Sequence, residues 1–193
     1  MFYTFICYLF SLYFKIFYRW KNVCFENIPL SGSFIVCSNH TSYLDPPLVG
    51  NIMQHNKIHF MAKEELFKFS LLGKALRALG AFPVKRGSVD KHSISHALHL
   101  LKNGSIIGIF PEGTRIKTGE LGKVFHGPAF LALKSNKPIL PVAIKWPEKI
   151  FKPVRVSVGP LIYFHEEGKI SKKVLENASS IILEEMSSLW INL

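Results

Sequence analysis

The chain has 193 residues, 48% of them hydrophobic and 19% charged, and a formal charge of +11. That length points to one domain with a real core, and that composition excludes a disordered chain. The charge asks for an anionic partner; with the lysines scattered and no nucleic-acid module signature in the sequence, nucleic acid is set aside for an anionic lipid surface.

Residues 1–22 carry the first signal. Ten of the first twenty residues are Phe, Tyr or Trp, and no formal side-chain charge precedes Lys15. The basic leader and small-residue cleavage site of a signal peptide are missing. The run is short for a spanning helix, which needs about 20 apolar residues. Thr4, Tyr8, Ser11, Lys15 and Arg19 share one helical face, and Phe2, Phe5, Leu9, Leu12, Ile16 and Trp20 occupy much of the rest. Such a helix either packs on the domain's own core or lies in a membrane interface. Aromatic rings with polar tips favour the interface. Residues 1–22 are therefore expected to be a membrane-interface helix, and 23–193 one folded domain. Cys7, Cys24 and Cys37 lack metal-ligand spacing, and an odd count without a framework reads as reduced thiols on the cytoplasmic side.

The apolar run 33–38 reads as a buried strand. It delivers Asn39-His40-Thr41-Ser42-Tyr43-Leu44-Asp45-Pro46-Pro47. A histidine at a strand end, with a carboxylate five positions on, can act as a general-base pair. On one helix, residues five apart point about 140° from each other. The pair therefore requires His40 in the loop and Asp45 at the helix start. The same placement also allows a plain reading, in which Asp45 is an N-cap ahead of Pro46. Cys37, in the apolar run, reads as a buried small hydrophobe rather than a thiol nucleophile.

A helix over 46–54, a strand over 58–62 and an amphipathic basic helix over 64–79 follow. In that last helix Leu72, Ala75, Leu76 and Leu79 alternate with Lys68, Lys74 and Arg77, which suits a core-facing or a membrane-facing element. Gly80 to Gly87 reads as a short strand with a basic turn, Lys85-Arg86. A helix over 90–103 carries His92, His96 and His99 on one face. No carboxylate or cysteine completes a metal set there, so a solvated stripe is expected and no metal is assigned. Residues 105–110 form a central strand leading into Phe110-Pro111-Glu112-Gly113-Thr114-Arg115. In open α/β sheets ligands bind beyond the carboxyl ends of strands, so both segments can meet at one edge. After a polar loop over 117–125, a helix over 127–136, a strand over 137–144, an edge strand over 155–160 and a closing helix over 171–191 complete an α/β fold. Val174, Ala178, Ile181, Ile182, Met186 and Leu189 mark the buried face of the closing helix. The central sheet is expected to be mostly parallel and flanked by helices.

Together the two segments resemble the signatures of the glycerolipid acyltransferase family, Asn-His with Asp five residues after the His and Phe-Pro-Glu-Gly-Thr-Arg. Within it they are most similar to the short bacterial 1-acyl-sn-glycerol-3-phosphate acyltransferases. The resemblance covers roughly residues 33–145, with Lys137 to Ile144 similar to the family's fourth block. Ile116 and Pro128 depart from the family pattern.

The resemblance implies acyl transfer from acyl-CoA or acyl-carrier protein as co-substrate, without a cofactor, to the 2-hydroxyl of a lysophosphatidic acid. His40 would be the base and Asp45 its orienting carboxylate. Arg86 in the 80–87 block, with Lys85 and Arg115, would bind the acceptor's phosphate. Asn39, Gly113 and Thr114 would position substrate. Glu112 would orient Arg115 or contact the hydroxyl. A backbone N–H of the Asn39–Thr41 loop is the candidate oxyanion donor. The lipid acceptor would arrive from the bilayer, with the protein peripheral on the cytoplasmic face of the cell membrane. Another lysophospholipid or a lyso-ornithine lipid is the alternative acceptor. A thioester hydrolase and a non-catalytic anionic-lipid binder are the alternatives from other classes.

Overall fold

The structure, a computed structural model, describes residues 2–19, 21–53, 56–85, 89–115, 125–166 and 168–193, with the backbone path alone for 21–23. Among these residues one sheet has seven strands: β1 (Lys21–Val23), β2 (Ile35–Ser38), β3 (Ile58–Lys63), β4 (Phe82–Val84), β5 (Ile106–Ile109), β6 (Ile139–Lys145) and β7 (Arg155–Val158). Their order is β1-β7-β6-β2-β5-β3-β4. The central run from β6 to β4 is parallel throughout, β7 lies antiparallel on β6, and β1 pairs parallel with β7. The mostly parallel α/β sheet expected from the sequence is the fold observed.

Helices cover both faces. On one lie α1 (Phe2–Phe17) and α2 (Asp45–Ile52), and on the other α4 (Lys91–Lys102), α5 (Gly127–Ser135) and α6 (Lys172–Ile191). Strands buried on both faces read as continuous apolar runs. In β2, Val36 packs toward Leu48 and Ile52, while Ile35 and Cys37 pack toward Ala97 and Met186. The start of β2 is tied down by Ser33, whose hydroxyl shares its proton between the carbonyls of Leu101 and Ser105. Pro128 falls in the first turn of α5, where its missing N–H costs no helical bond.

Four local expectations change. The N-terminal helix ends at Phe17, not at 22, and residues 21–23 join the sheet. Its inner face belongs to the domain, because Phe14 is fully buried and Phe10 and Tyr13 pack on the core. The 64–79 segment breaks into a 3-10 turn over Glu64–Phe67 and α3 (Ser70–Ala78). The chain folds back there: a Cβ on Gly73 would sit 2.7 Å from the Phe67 carbonyl oxygen, so only glycine allows the approach. The third change is at β7, which is not an edge strand, since β1 covers it. The fourth is Ile181 on α6, which is exposed rather than core-facing. The three histidines of α4 are exposed, as expected, with His96 edge-on to Phe82.

Asp90 caps α4 and holds the turn after β4. Its carboxylate accepts the Lys85 N–H, the Ser93 hydroxyl and the N–H groups of Ser93 and His92. These donors, the Lys85 N–H first, hold its carboxyl down at about 2. A depressed folded-state value gives stability that is complete above the unfolded value, about 4, and lost as pH falls toward 2. In denaturant titrations the stability gap between wild type and Asp90→Asn should therefore shrink as pH falls from about 4 to about 2. A gap that stays constant through that window would contradict the assignment.

Candidate active site

The carboxyl ends of β2, β3, β4, β5 and β6 share one edge of the sheet, because these strands run parallel. His40 leaves the end of β2, and Phe110 to Arg115 leave the end of adjacent β5. The two segments are thus brought together by topology.

His40 Nδ1 lies 2.9 Å from Asp45 Oδ2. Asp45 starts α2, with Leu44 at the cap position, and its side chain turns back to the preceding loop instead of capping its own helix. Oδ2 also accepts the N–H groups of Thr41 and Ser42, each at 2.7 Å, and Oδ1 accepts the Trp146 indole N–H at 2.6 Å. Asp45 is 0% exposed. A buried carboxylate needs donors to offset its desolvation, and here four converge. An ionised carboxylate only accepts, so the proton of the His40–Asp45 bond sits on Nδ1. That leaves Nε2, which has no partner among the described residues, to take a proton.

The imidazole is clamped from below as well. It stacks on Phe110 with centroids 4.2 Å apart, and Phe110 stacks on Phe60 at 5.7 Å. Phe60 needs the space over Gly108, where an added Cβ would fall 2.3 Å from its ring. The His40 side chain is 13% exposed, so one side of the ring opens outward.

Glu112 is buried, and its Oε2 accepts the His40 backbone N–H at 2.9 Å. It therefore joins the two segments directly. Asn39 is buried too: its amide donates to the Ile144 carbonyl and accepts the Ile144 N–H. Both ends of that amide serve the junction of β2 with β6, so the expected substrate contact by Asn39 gives way to a scaffold role. Of the expected oxyanion donors, the His40 N–H is taken by Glu112 and the Thr41 N–H by Asp45.

Gly113 has φ +66°, which favours glycine, and its near neighbour is the Phe125 ring. Thr114 is exposed. The Arg115 guanidinium lies 3.4 Å from the centroid of the Tyr43 ring, a second bridge between the two segments. Lys85 is exposed at the end of β4, two strands across from β5, or about 10 Å at ordinary strand spacing. Arg86 and Ile116 lie outside the described residues. Burial pushes the Cys37 thiol well up, and its sulfur rests 3.7 Å from Met186 Sδ, so it is no nucleophile.

Sequence reasoning missed Trp146, Tyr43 and the Phe110–Phe60 platform. Trp146 follows β6 directly, on the same carboxyl edge as His40. That position, a donor-bearing aromatic just past a central strand, was the available signal.

The chain is similar to known proteins in both sequence and fold. A family model described as Acyltransferase matches residues 22–145, the stretch holding both segments. The 1-acyl-sn-glycerol-3-phosphate acyltransferase of Bacillus subtilis is 35% identical over 130 residues, covering 66% of this chain and 64% of that protein. The protein of that name from Borreliella burgdorferi is 30% identical over 169 residues, 83% of this chain and 67% of its own length. The crystal structure of the 1-acyl-sn-glycerophosphate (LPA) acyltransferase PlsC from Thermotoga maritima matches with a TM-score of 0.66 at 28% identity. That match covers 89% of this chain and 73% of the other. An open α/β sheet carrying a His–Asp pair at its carboxyl edge is the class of protein described. The chain belongs to the acyltransferase family. It spans less than two thirds of the length of the Bacillus relative, and 39% of a chloroplastic relative from Brassica napus.

Proposed function

We propose that this protein transfers a fatty acyl group from an acyl thioester to the 2-hydroxyl of 1-acyl-sn-glycerol-3-phosphate, giving phosphatidic acid. The observation that carries the reading is the buried Asp45 carboxylate fixing His40 with Nε2 free. Nε2 removes the proton from the acceptor hydroxyl as its oxygen bonds to the thioester carbonyl carbon. The tetrahedral adduct collapses, the C–S bond breaks, and the leaving sulfur takes the proton back from the imidazolium. The products are the diacyl lipid and a free thiol. General-base help of this kind contributes about a hundred- to ten-thousand-fold. Arg115, preset against Tyr43, presents a planar fork to the acceptor's phosphate, with Lys85 and Arg86 as further cations. Coenzyme A and acyl-carrier protein are both suitable donors for this chemistry.

The protein works, in this reading, as a peripheral protein on the cytoplasmic face of an anionic membrane. Phe2, Phe5, Leu9, Leu12 and Ile16 form an exposed apolar stripe along α1, recurring every three or four residues. Opposite that stripe, α1 is packed on the domain. A second exposed group, Phe69, Leu71 and Leu72, stands among Lys68, Lys74 and Arg77. Cations among exposed apolar side chains suit anionic headgroups. Among the described residues no helix is long and apolar enough to cross a membrane. The free cysteines Cys7, Cys24 and Cys37 suit a reducing compartment.

Thiol release from a long-chain acyl-coenzyme A by detergent-solubilised protein should depend on added lysophosphatidic acid and fall at least a hundredfold in His40→Ala. Acceptor-independent release would make the protein a hydrolase. Co-sedimentation with vesicles containing phosphatidylglycerol should drop about tenfold in the double variant Leu9→Glu, Leu12→Glu and stay unchanged in His40→Ala. Equal binding by the double variant would remove α1 as the membrane contact.

A further inference from the structure

Trp146 has one polar atom, and it points at the site. Its indole N–H donates to Asp45 Oδ1 at 2.6 Å, while His40, Thr41 and Ser42 all bond to Oδ2. An indole N–H is a donor only, so this bond cannot reverse its sense. The two oxygens of Asp45 thus have different tasks. Were Oδ1 unbound, the carboxylate could swing and divide its acceptors between the loop N–H groups and solvent. The histidine would then lose its fixed partner.

The indole is itself held by α1. The Tyr18 ring, just past that helix, meets it edge-on at 5.0 Å and 83°, and the buried Phe14 ring lies 6.3 Å away. Backbone bonds tie the same end of α1 to the loop after Trp146: Phe151 N–H donates to the Phe17 carbonyl and Val154 N–H to the Tyr18 carbonyl. A continuous set of contacts therefore runs from α1 through Tyr18 and Phe14 to Trp146, then to Asp45 and His40.

We infer that Trp146 is a positioning residue for the His40–Asp45 pair, and that the seat of α1 against the sheet sets the orientation of Asp45 through it. The inference rests on His40 acting as the base, but on no particular acceptor. It gives α1 a task beyond membrane contact: displacing its end from Trp146 would loosen the base. The outward stripe of α1 and its inward hold on Trp146 occupy different faces of one helix.

The test compares wild type, Trp146→Phe and Tyr18→Leu as full-length protein in detergent. Trp146→Phe keeps an aromatic ring against Tyr18 and removes the N–H along with part of the indole's volume; Tyr18→Leu serves as the comparison for lost packing with the N–H retained. Its kcat should fall about tenfold or more, as for the loss of one charge-assisted hydrogen bond. KM should stay within about twofold, because no substrate contact is touched. Nitrogen-15 chemical shifts of the His40 ring should report Nδ1–H alone in wild type and a mixture of tautomers in the variant. Tyr18→Leu keeps the N–H and should move both readouts the same way by a smaller amount. Wild-type kcat with an unchanged tautomer in Trp146→Phe would overturn the inference, as would a rise in KM alone. If Trp146→Phe does not fold, Tyr18→Leu is judged by the same two readouts. If lysophosphatidic acid is not the acceptor, the acceptor assignment fails while the tautomer comparison still decides the part played by Trp146.

Discussion

The buried carboxylate of Asp45 gathers the site around itself. Removing such a group from water costs several kcal/mol unless donors replace the solvent. Here the replacement comes from three parts of the chain. The loop gives two backbone N–H groups, the strand end gives His40, and the segment past β6 gives Trp146. Each donor is held in place by the need to satisfy the charge, so the loop from 39 to 45 takes one shape. That shape points Nδ1 of His40 inward to Asp45 and turns Nε2 away from it.

The sheet supplies the second constraint. β2 lies between β6 and β5, so one strand end meets neighbours on both sides. Toward β6, the Asn39 amide locks onto Ile144 and Asp45 reaches Trp146, two residues further on. Toward β5, Glu112 takes the His40 N–H and Phe110 carries the imidazole. His40 is therefore braced from both flanks, through its backbone N–H, its ring and the strand that delivers it. Arg115 and Tyr43 add a second bridge between the two segments, with Tyr43 exposed.

Most strands and helices were legible because their apolar runs and caps are local signals. The helices expected over 90–103 and 171–191 are present, capped by Asp90 and Ser171, and the 105–110 run delivers the second segment as expected. Both signature segments were visible, since their residues are contiguous. What was not legible depends on partners distant in sequence. Trp146 meets Asp45 across 101 positions, and Asn39 meets Ile144 across 105. No periodicity reports such pairings. β1 was missed because three residues carry little pattern of their own; pairing with β7 makes them a strand. α1 misled for another reason. It is apolar on two faces, one turned to the core and one outward, and a single helical projection of polar residues does not separate them.

The central claim is that the charge on Asp45 organises the base, and turnover of Asp45→Asn tests it most directly. An amide keeps the size but offers an N–H where the loop and the indole already donate, so the ring partner of His40 is lost. The account predicts a fall in kcat of about a thousandfold or more, as when a carboxylate that orients a catalytic histidine becomes an amide. A kcat within about threefold of wild type, in a folded variant, would contradict it.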